Sequence, residues 1–126
     1  MDVRARDEAV PFTTADGSTI RSLLDVSVAP VRNQSLAEAT LDPGDATARH
    51  YHARSEELYY LLDGEAEMEV EGQTRTVRAG DAILIPAGSW HQIRATGETP
   101  LRFLCCCAPP YSDDDTFFAP PAGAAD

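Results

Sequence analysis

The sequence predicts an all-β domain, a sandwich or barrel of short strands. Three observations predict it. Apolar and polar residues alternate with a period of two along several short runs. Gly, Pro and Asp cut those runs at the intervals of turns between strands. Helix signals are scarce. At 126 residues the chain has the length of one domain and can bury a core without disulfide staples.

The elements follow in order. Residues 18–24 (STIRSLL) and 35–41 (SLAEATL) read as strands, and Asp42-Pro43-Gly44-Asp45 reads as a turn. Residues 47–52 and 57–62 read as strands joined by Ala53-Arg54-Ser55, and Asp63-Gly64 is a hairpin turn. Residues 65–71 (EAEMEVE) alternate throughout. Ala66, Met68 and Val70 take one face; Glu65, Glu67, Glu69 and Glu71 form a solvated row on the other. Glu71-Gly72 turns into a strand at 73–78, and strands at 82–86, 90–95 and 101–107 complete the set. Met68, Val70, Ile83, Ile85, Phe103 and Leu104 are the expected apolar wall. The reading divides the chain into an N-terminal arm (1–17), a barrel (18–108) and a C-terminal extension (109–126). The extension is rich in Pro, Ala and Asp, and its last eight or so residues read as a loose tail. Tyr111, Phe117 and Phe118 are expected to pack on the barrel or on a partner subunit.

Composition excludes several functions. Ten Arg and no Lys against 21 acidic residues give a net charge of −11. Nucleic acid and anionic membrane surfaces both want clustered positive charge, so neither is expected as a partner. No run approaches the roughly 18 apolar residues of a membrane span, and no apolar signal-peptide core is visible near Met1. The three Cys are consecutive, Cys105-Cys106-Cys107, a spacing that closes no ordinary disulfide. A reducing cytoplasm is the expected location. On the strand, either Cys105 and Cys107 face inward or Cys106 does, and packing is the expected role.

The chemistry concentrates in three His. His50 and His52 are two apart, so a strand points both to one face. Glu57 returns to that face after the Ala53-Arg54-Ser55 bend, and His91 follows a Pro-containing turn on a distant segment. Three imidazoles and a carboxylate converging in a barrel make a divalent transition-metal site. Glu56 is the competing carboxylate, with the opposite strand parity. If Glu57 points inward, so do Tyr59 and Leu61, while Tyr60 points out. Tyr59 then stands beside the metal as a proton donor, a base or a substrate-orienting hydroxyl, or else as a core aromatic. Parity turns Ile93 inward and Gln92 and Arg94 outward, and Trp90 reads as packing.

The spacing is specific. Gly44, five residues, His50, one residue, His52, four residues, Glu57, six residues and Gly64 form the first segment. Gly80, five residues, Pro86, one residue, Gly88, two residues and His91 form the second. In order, these resemble the two signature motifs of the cupin superfamily. One position departs: the family pattern often carries Asn four residues after the His, where this chain has Ala95. That Asn is a turn residue and not a ligand.

The resemblance implies a cupin jelly-roll barrel, an all-β double-stranded β-helix, with one divalent metal held by His50, His52, Glu57 and His91. Mn, Fe, Co, Ni, Cu and Zn all suit such a donor set. It also implies a small-molecule ligand or substrate and a homodimer. The reactions it implies are dioxygenation, decarboxylation, lyase elimination and isomerisation on a small oxygen-rich metabolite, with Tyr59 as a catalytic residue. The alternative is a non-catalytic, metal-dependent binding or sensor module.

Overall fold

The computed structural model describes residues 1–120 of the chain. After a single 3-10 turn at Arg6–Glu8, the strands in chain order are β1 (Phe12–Thr13), β2 (Thr19–Leu24), β3 (Ser35–Leu41), β4 (His50–His52), β5 (Glu56–Asp63), β6 (Glu65–Val70), β7 (Gln73–Arg78), β8 (Ala82–Ile85), β9 (His91–Ala95), β10 (Leu101–Ala108) and β11 (Thr116–Phe118). A second 3-10 turn, Asp113–Asp115, precedes the last strand.

All pairings between these strands are antiparallel, in two sheets. The first runs β1-β2-β3-β10-β5-β8 and the second β11-β4-β9-β6-β7. Each sheet turns one face inward, which is the all-β jelly-roll expected from the sequence. Among the described residues, no helix is long and apolar enough to cross a membrane.

Alternation sets the register. In β6, Ala66 and Met68 are buried while Glu65 and Glu67 are exposed. In β5, Glu57, Tyr59 and Leu61 point in, and Glu56, Leu58 and Tyr60 point out. The hairpin between β5 and β6 turns on Gly64, at φ 94°. A Cβ there would stand 2.9 Å from the Pro100 carbonyl oxygen, so both conformation and space demand glycine. The next hairpin places Glu71 and Gly72 at φ 50° and 84°, the two positive values of a tight two-residue turn.

Leu61, Ile85, Ile93, Leu101 and Phe103 are the largest fully buried apolar side chains, joined by Leu41 and Met68. Truncating such a residue costs about 2–5 kcal/mol. Tyr59 and Phe103 belong both to this core and to the wall of the cavity described below, so the site stands directly on the core.

Four details differ from the sequence reading. The strand expected at 47–52 begins only at His50. Thr47 instead spans to β9, its N–H donating to the Ile93 carbonyl oxygen and its Oγ1 accepting from Ile93 N–H. Two strands went unread, β1 and β11, each too short to alternate. Leu104 is not in the core, because its neighbour Phe103 takes the inward position; Leu104 lies across the outer face opposite Tyr60 and Glu38. The acidic row of β6 is not uniformly solvated: Glu69 is half-buried and paired with Arg49. Of the loose tail, residues 121–126 lie outside the described residues.

Candidate metal centre

β4 is three residues long and lies between β11 and β9. Its outer residues His50 and His52 point inward, and Tyr51 points out to stack on Phe117, ring centroids 5.1 Å apart. His50 sits opposite His91 in the register of β4 and β9. The turn that delivers His91 is closed by Ser89 N–H donating to the Pro86 carbonyl oxygen, and Gly88 N–H donates to the His52 carbonyl oxygen at 2.7 Å. The motif glycine thus ties the two His-bearing segments together.

Each His offers one ring nitrogen, and the three nitrogens lie within 4.8 Å of one another. Their other nitrogens are engaged. Nδ1 of His50 lies 2.8 Å from the Ala48 carbonyl oxygen, and Nδ1 of His91 lies 2.9 Å from that of Ser89. A carbonyl only accepts, so both rings carry the proton on Nδ1. Nδ1 of His52 lies 3.0 Å from Thr116 Oγ1, whose own proton goes to the Ser112 carbonyl oxygen at 2.9 Å. The hydroxyl therefore accepts from His52. All three rings turn a bare Nε2 lone pair to the centre.

Glu57 completes the cluster and Glu56 does not; Glu57 is 4% exposed and Glu56 is exposed on the outer face. Oε1 of Glu57 stands 3.3 Å from His52 Nε2 and 3.4 Å from His91 Nε2. Those contacts lack hydrogen-bond geometry. Oε1 and His91 Nε2 have no hydrogen-bond partner although buried. Oε2 accepts from the Cys107 thiol at 3.2 Å. Burial by itself would push the Glu57 carboxyl up; positive charge at the His52 and His91 nitrogens, the place a bound cation would take, outweighs it and holds the group down at about 2. Burial, with the neighbouring His91, lowers the pKa of His50, which keeps that ring neutral.

This donor set fits a divalent transition metal on the structure's own terms. Three imidazoles turn one ring nitrogen each toward a common centre, one ionised carboxylate presents an orphaned oxygen, and all four are buried. A buried polar atom without a partner costs about 1–3 kcal/mol, a deficit that a cation would remove. The Nδ1 acceptors are the outer partners that metal-bound His side chains commonly have. Burial and the Glu57 charge raise the Cys107 thiol far above its ordinary value, so it stays a protonated donor and not a thiolate ligand.

The cluster opens into a cavity of about 580 Å³. His50, His52 and Glu57 line it, with Tyr59, Cys105 and Cys107 beside them. The open alternative for the cysteines thus resolves to Cys105 and Cys107 inward, with Cys106 turned toward Gln34 on the outside. Tyr59 lies with its ring 6.2 Å from that of His91 and 4.7 Å from that of Phe103. Burial first, then the Glu57 charge, raise the Tyr59 hydroxyl well above 10, so it is protonated at neutral pH. Trp90 packs on the outer face against Tyr51 and beneath the Arg49 guanidinium. Gln92 and Arg94 point outward as parity requires, and Gln92 Nε2 donates to the Thr47 carbonyl oxygen.

Several residues at the site lie outside the expected ligand set, among them Tyr111 and Phe118, which are expected from the sequence only to pack on the barrel or on a partner subunit. Tyr111 and Phe118 line the cavity, their rings 5.8 Å from His52 and 5.7 Å from His50. The extension therefore packs on its own barrel. Asp115 pins the bend before Glu57: its carboxylate accepts from Arg54 N–H and Ser55 N–H at 3.0 Å each. Asp16, in the loop between β1 and β2, lines the cavity as well. None of these lies within the motif segments.

Comparison with known proteins agrees with this architecture. The family model described as a cupin domain matches residues 37–107. A protein of Methanocaldococcus jannaschii is 44% identical over 99 residues, 79% of either chain. A predicted oxalate decarboxylase from Thermotoga maritima superposes with a TM-score of 0.76 at 26% identity, covering 85% of this chain and 98% of that one. The polyketide cyclase RemF from Streptomyces resistomycificus superposes with a TM-score of 0.75 at 25% identity, covering 91% and 89%. The inward-facing His cluster of a two-sheet jelly roll defines a class of barrel built around a small buried site. The chain belongs to the cupin family.

Proposed function

We propose that the protein holds one divalent transition metal through His50, His52, Glu57 and His91 and acts as a metal-dependent enzyme on a small oxygen-rich molecule. The observation that carries this reading is the set of bare imidazole nitrogens and the orphaned Glu57 Oε1 at the edge of a cavity of metabolite size. When bound, the metal would act as a Lewis acid toward an oxygen of the substrate. The rest falls to the chain. The apolar wall around Phe103 and Phe118 excludes water and packs the substrate's body. Tyr59, protonated and beside the His cluster, is the proposed catalytic residue and donates a proton or a hydrogen bond to the reacting oxygen. Reactions that suit these parts are dioxygenation, decarboxylation, elimination and isomerisation; the named activities of the similar proteins, decarboxylation and polyketide cyclisation, support a carbon-skeleton chemistry on oxygen-rich ligands.

The functional unit we propose is a homodimer in a reducing, cytoplasmic compartment. Three free thiols support the compartment. The outer face of β5 and β8 supports the dimer. Leu58, Tyr60 and Leu84 are 47%, 46% and 55% exposed there, where a solvated strand face would carry polar residues.

Elemental mass spectrometry on untagged protein tests the metal reading, beside the His50→Ala/His91→Ala double variant. The expected result is about one metal per wild-type chain and none in the variant. No metal after reconstitution with each of the six ions overturns it. A ligand recovered unchanged after incubation with metal-loaded protein would favour the binding or sensor module over the enzyme.

A further inference from the structure

The cavity that opens over the His cluster is lined by four carboxylates, Glu57, Asp16, Asp25 and Asp113, and among the described residues that line it none is Arg or Lys. A divalent cation at the cluster neutralises two of those charges and leaves two. Asp113 is engaged, its Oδ1 accepting from the Tyr111 hydroxyl at 2.9 Å, and Asp25 Oδ1 accepts from Ser27. Asp16 differs. Its Oδ1 accepts from Thr14 Oγ1 at 2.5 Å, from Ser18 N–H at 2.9 Å and from Ser18 Oγ at 2.6 Å. These bonds fix the carboxylate in place, and all of them fall on Oδ1, none on Oδ2. The loop itself is anchored beside the cluster, because Ala48 N–H donates to the Asp16 carbonyl oxygen at 2.7 Å and His50 Nδ1 bonds to the Ala48 carbonyl oxygen. The Asp16 charge is felt by His50, Tyr59, Cys105 and Tyr111 around the same cavity.

We infer that Asp16 is a specificity-determining residue: its Oδ2 accepts a hydrogen bond from a hydroxyl of the ligand, and the cavity selects a neutral, hydroxylated aromatic molecule and rejects small dianions such as oxalate. This rests on the metal-site reading above and names the ligand class for it. The aromatic preference comes from Phe12, Tyr59, Phe103, Tyr111 and Phe118 in the wall. The rejection comes from charge. A dianion entering the cavity meets uncompensated carboxylates with no guanidinium or ammonium to pair with. A neutral phenol meets no such repulsion and gives Asp16 the donor it lacks.

Titration calorimetry on zinc-loaded protein tests this, with catechol as the neutral probe and oxalate as the dianion, and with metal content measured after each run. Free in water at neutral pH, oxalate is the stronger chelator of the two, so a preference for catechol must come from the cavity. The expected result is catechol binding at least about tenfold tighter than oxalate. Asp16→Asn keeps an Oδ1 for the Thr14 and Ser18 bonds but removes the charge and turns the Oδ2 acceptor into an NH2 donor; it should strengthen oxalate binding by roughly tenfold and weaken that of catechol. Raising ionic strength should strengthen oxalate binding to wild type, because screening relieves the repulsion. Tighter binding of oxalate than catechol by wild type, or an Asp16→Asn variant with a wild-type melting temperature and unchanged affinities, overturns the inference. Failure to load zinc or any other ion counts against the metal reading alone. The same titrations on metal-free protein then decide the cavity's preference, with detectable catechol binding expected and oxalate binding absent.

Discussion

Thr116 Oγ1 accepts the Nδ1 proton of His52 at 3.0 Å and passes its own proton to the Ser112 carbonyl oxygen at 2.9 Å. A residue 64 positions away in the sequence thus sets the tautomer of a candidate metal ligand. The hydroxyl is the only part of Thr116 that this role needs. Thr116→Val keeps the shape and the β-branching of the strand but removes the acceptor, so the His52 ring loses its orientation and its proton preference. Removing an outer partner of this kind typically costs 10–100-fold in metal affinity. A chelator-competition titration should show that loss in Thr116→Val and near-wild-type affinity in Thr116→Ser. Equal affinities in all three proteins would show that the bond does no orienting.

Asp115 holds the extension to the bend before Glu57. Its buried carboxylate accepts from Arg54 N–H and Ser55 N–H at 3.0 Å each, and the Arg54 guanidinium approaches it at 3.4 Å. Burial would raise this carboxyl, and those backbone donors outweigh it, so its pKa lies below 3.8. The folded value is depressed relative to the unfolded one. Its contribution to stability is therefore present above the unfolded pKa and lost as pH falls through the folded one. Asp115→Ala should cost about 2 kcal/mol or more at neutral pH, since each hydrogen bond to a charged group contributes about 1.5–3 kcal/mol. The cost should shrink at strongly acid pH, below the folded value, where wild type has also lost the charge. Urea unfolding at the two pH values measures both numbers; a pH-independent difference would remove Asp115 from the acid limb.

How much of this was legible beforehand follows from which interactions are local. His50 and His52 share a strand face by parity, and the same parity separates Glu57 from Glu56 and Tyr59 from Tyr60, so their directions could be read along one short segment. Leu104 was misread because Phe103 and Leu104 are both apolar, and composition does not say which of two neighbours turns inward. Asp16 and Thr116 reach the site only through tertiary pairing. Thr116 stands on β11 and Asp16 in the loop after β1, strands of three and two residues that carry no alternation. Asp16 falls in the segment read as an N-terminal arm, and nothing local shows that its loop folds over the segment of His50.

Tyr59 offers the clearest separation of chemistry from architecture. Its ring is buried against Phe103, so Tyr59→Phe keeps the packing and removes one hydroxyl. If the hydroxyl donates to the reacting oxygen, the variant should retain wild-type metal content and melting temperature. It should lose turnover by 10²-fold or more, the usual scale for a positioned proton donor. The assay is the rate on whichever substrate wild type converts, measured beside elemental analysis. An unchanged rate would leave Tyr59 as core packing.

The outer face of the first sheet makes the last prediction. Leu58 pairs with Leu84 on one side and with Cys106 on the other, and Cys106 pairs with Leu36 beyond it. One register step along, Tyr60 lies between Ala82 and Leu104. Two adjacent rows are therefore apolar on the side away from the core, the first across β3, β10, β5 and β8 and the second across β10, β5 and β8 up to Glu38 of β3, an arrangement that a lone barrel leaves in water. A second copy of the same face can cover it, row against row, because a two-fold interface uses one patch twice. Light scattering at micromolar concentration should give twice the chain mass for wild type. Leu58→Glu combined with Leu84→Glu places four like charges across such an interface and should halve the mass. Metal content should be kept, since neither side chain reaches the cavity wall near the His cluster. A wild-type mass of one chain, or a double variant that still dimerises, would mean that this face is not the contact.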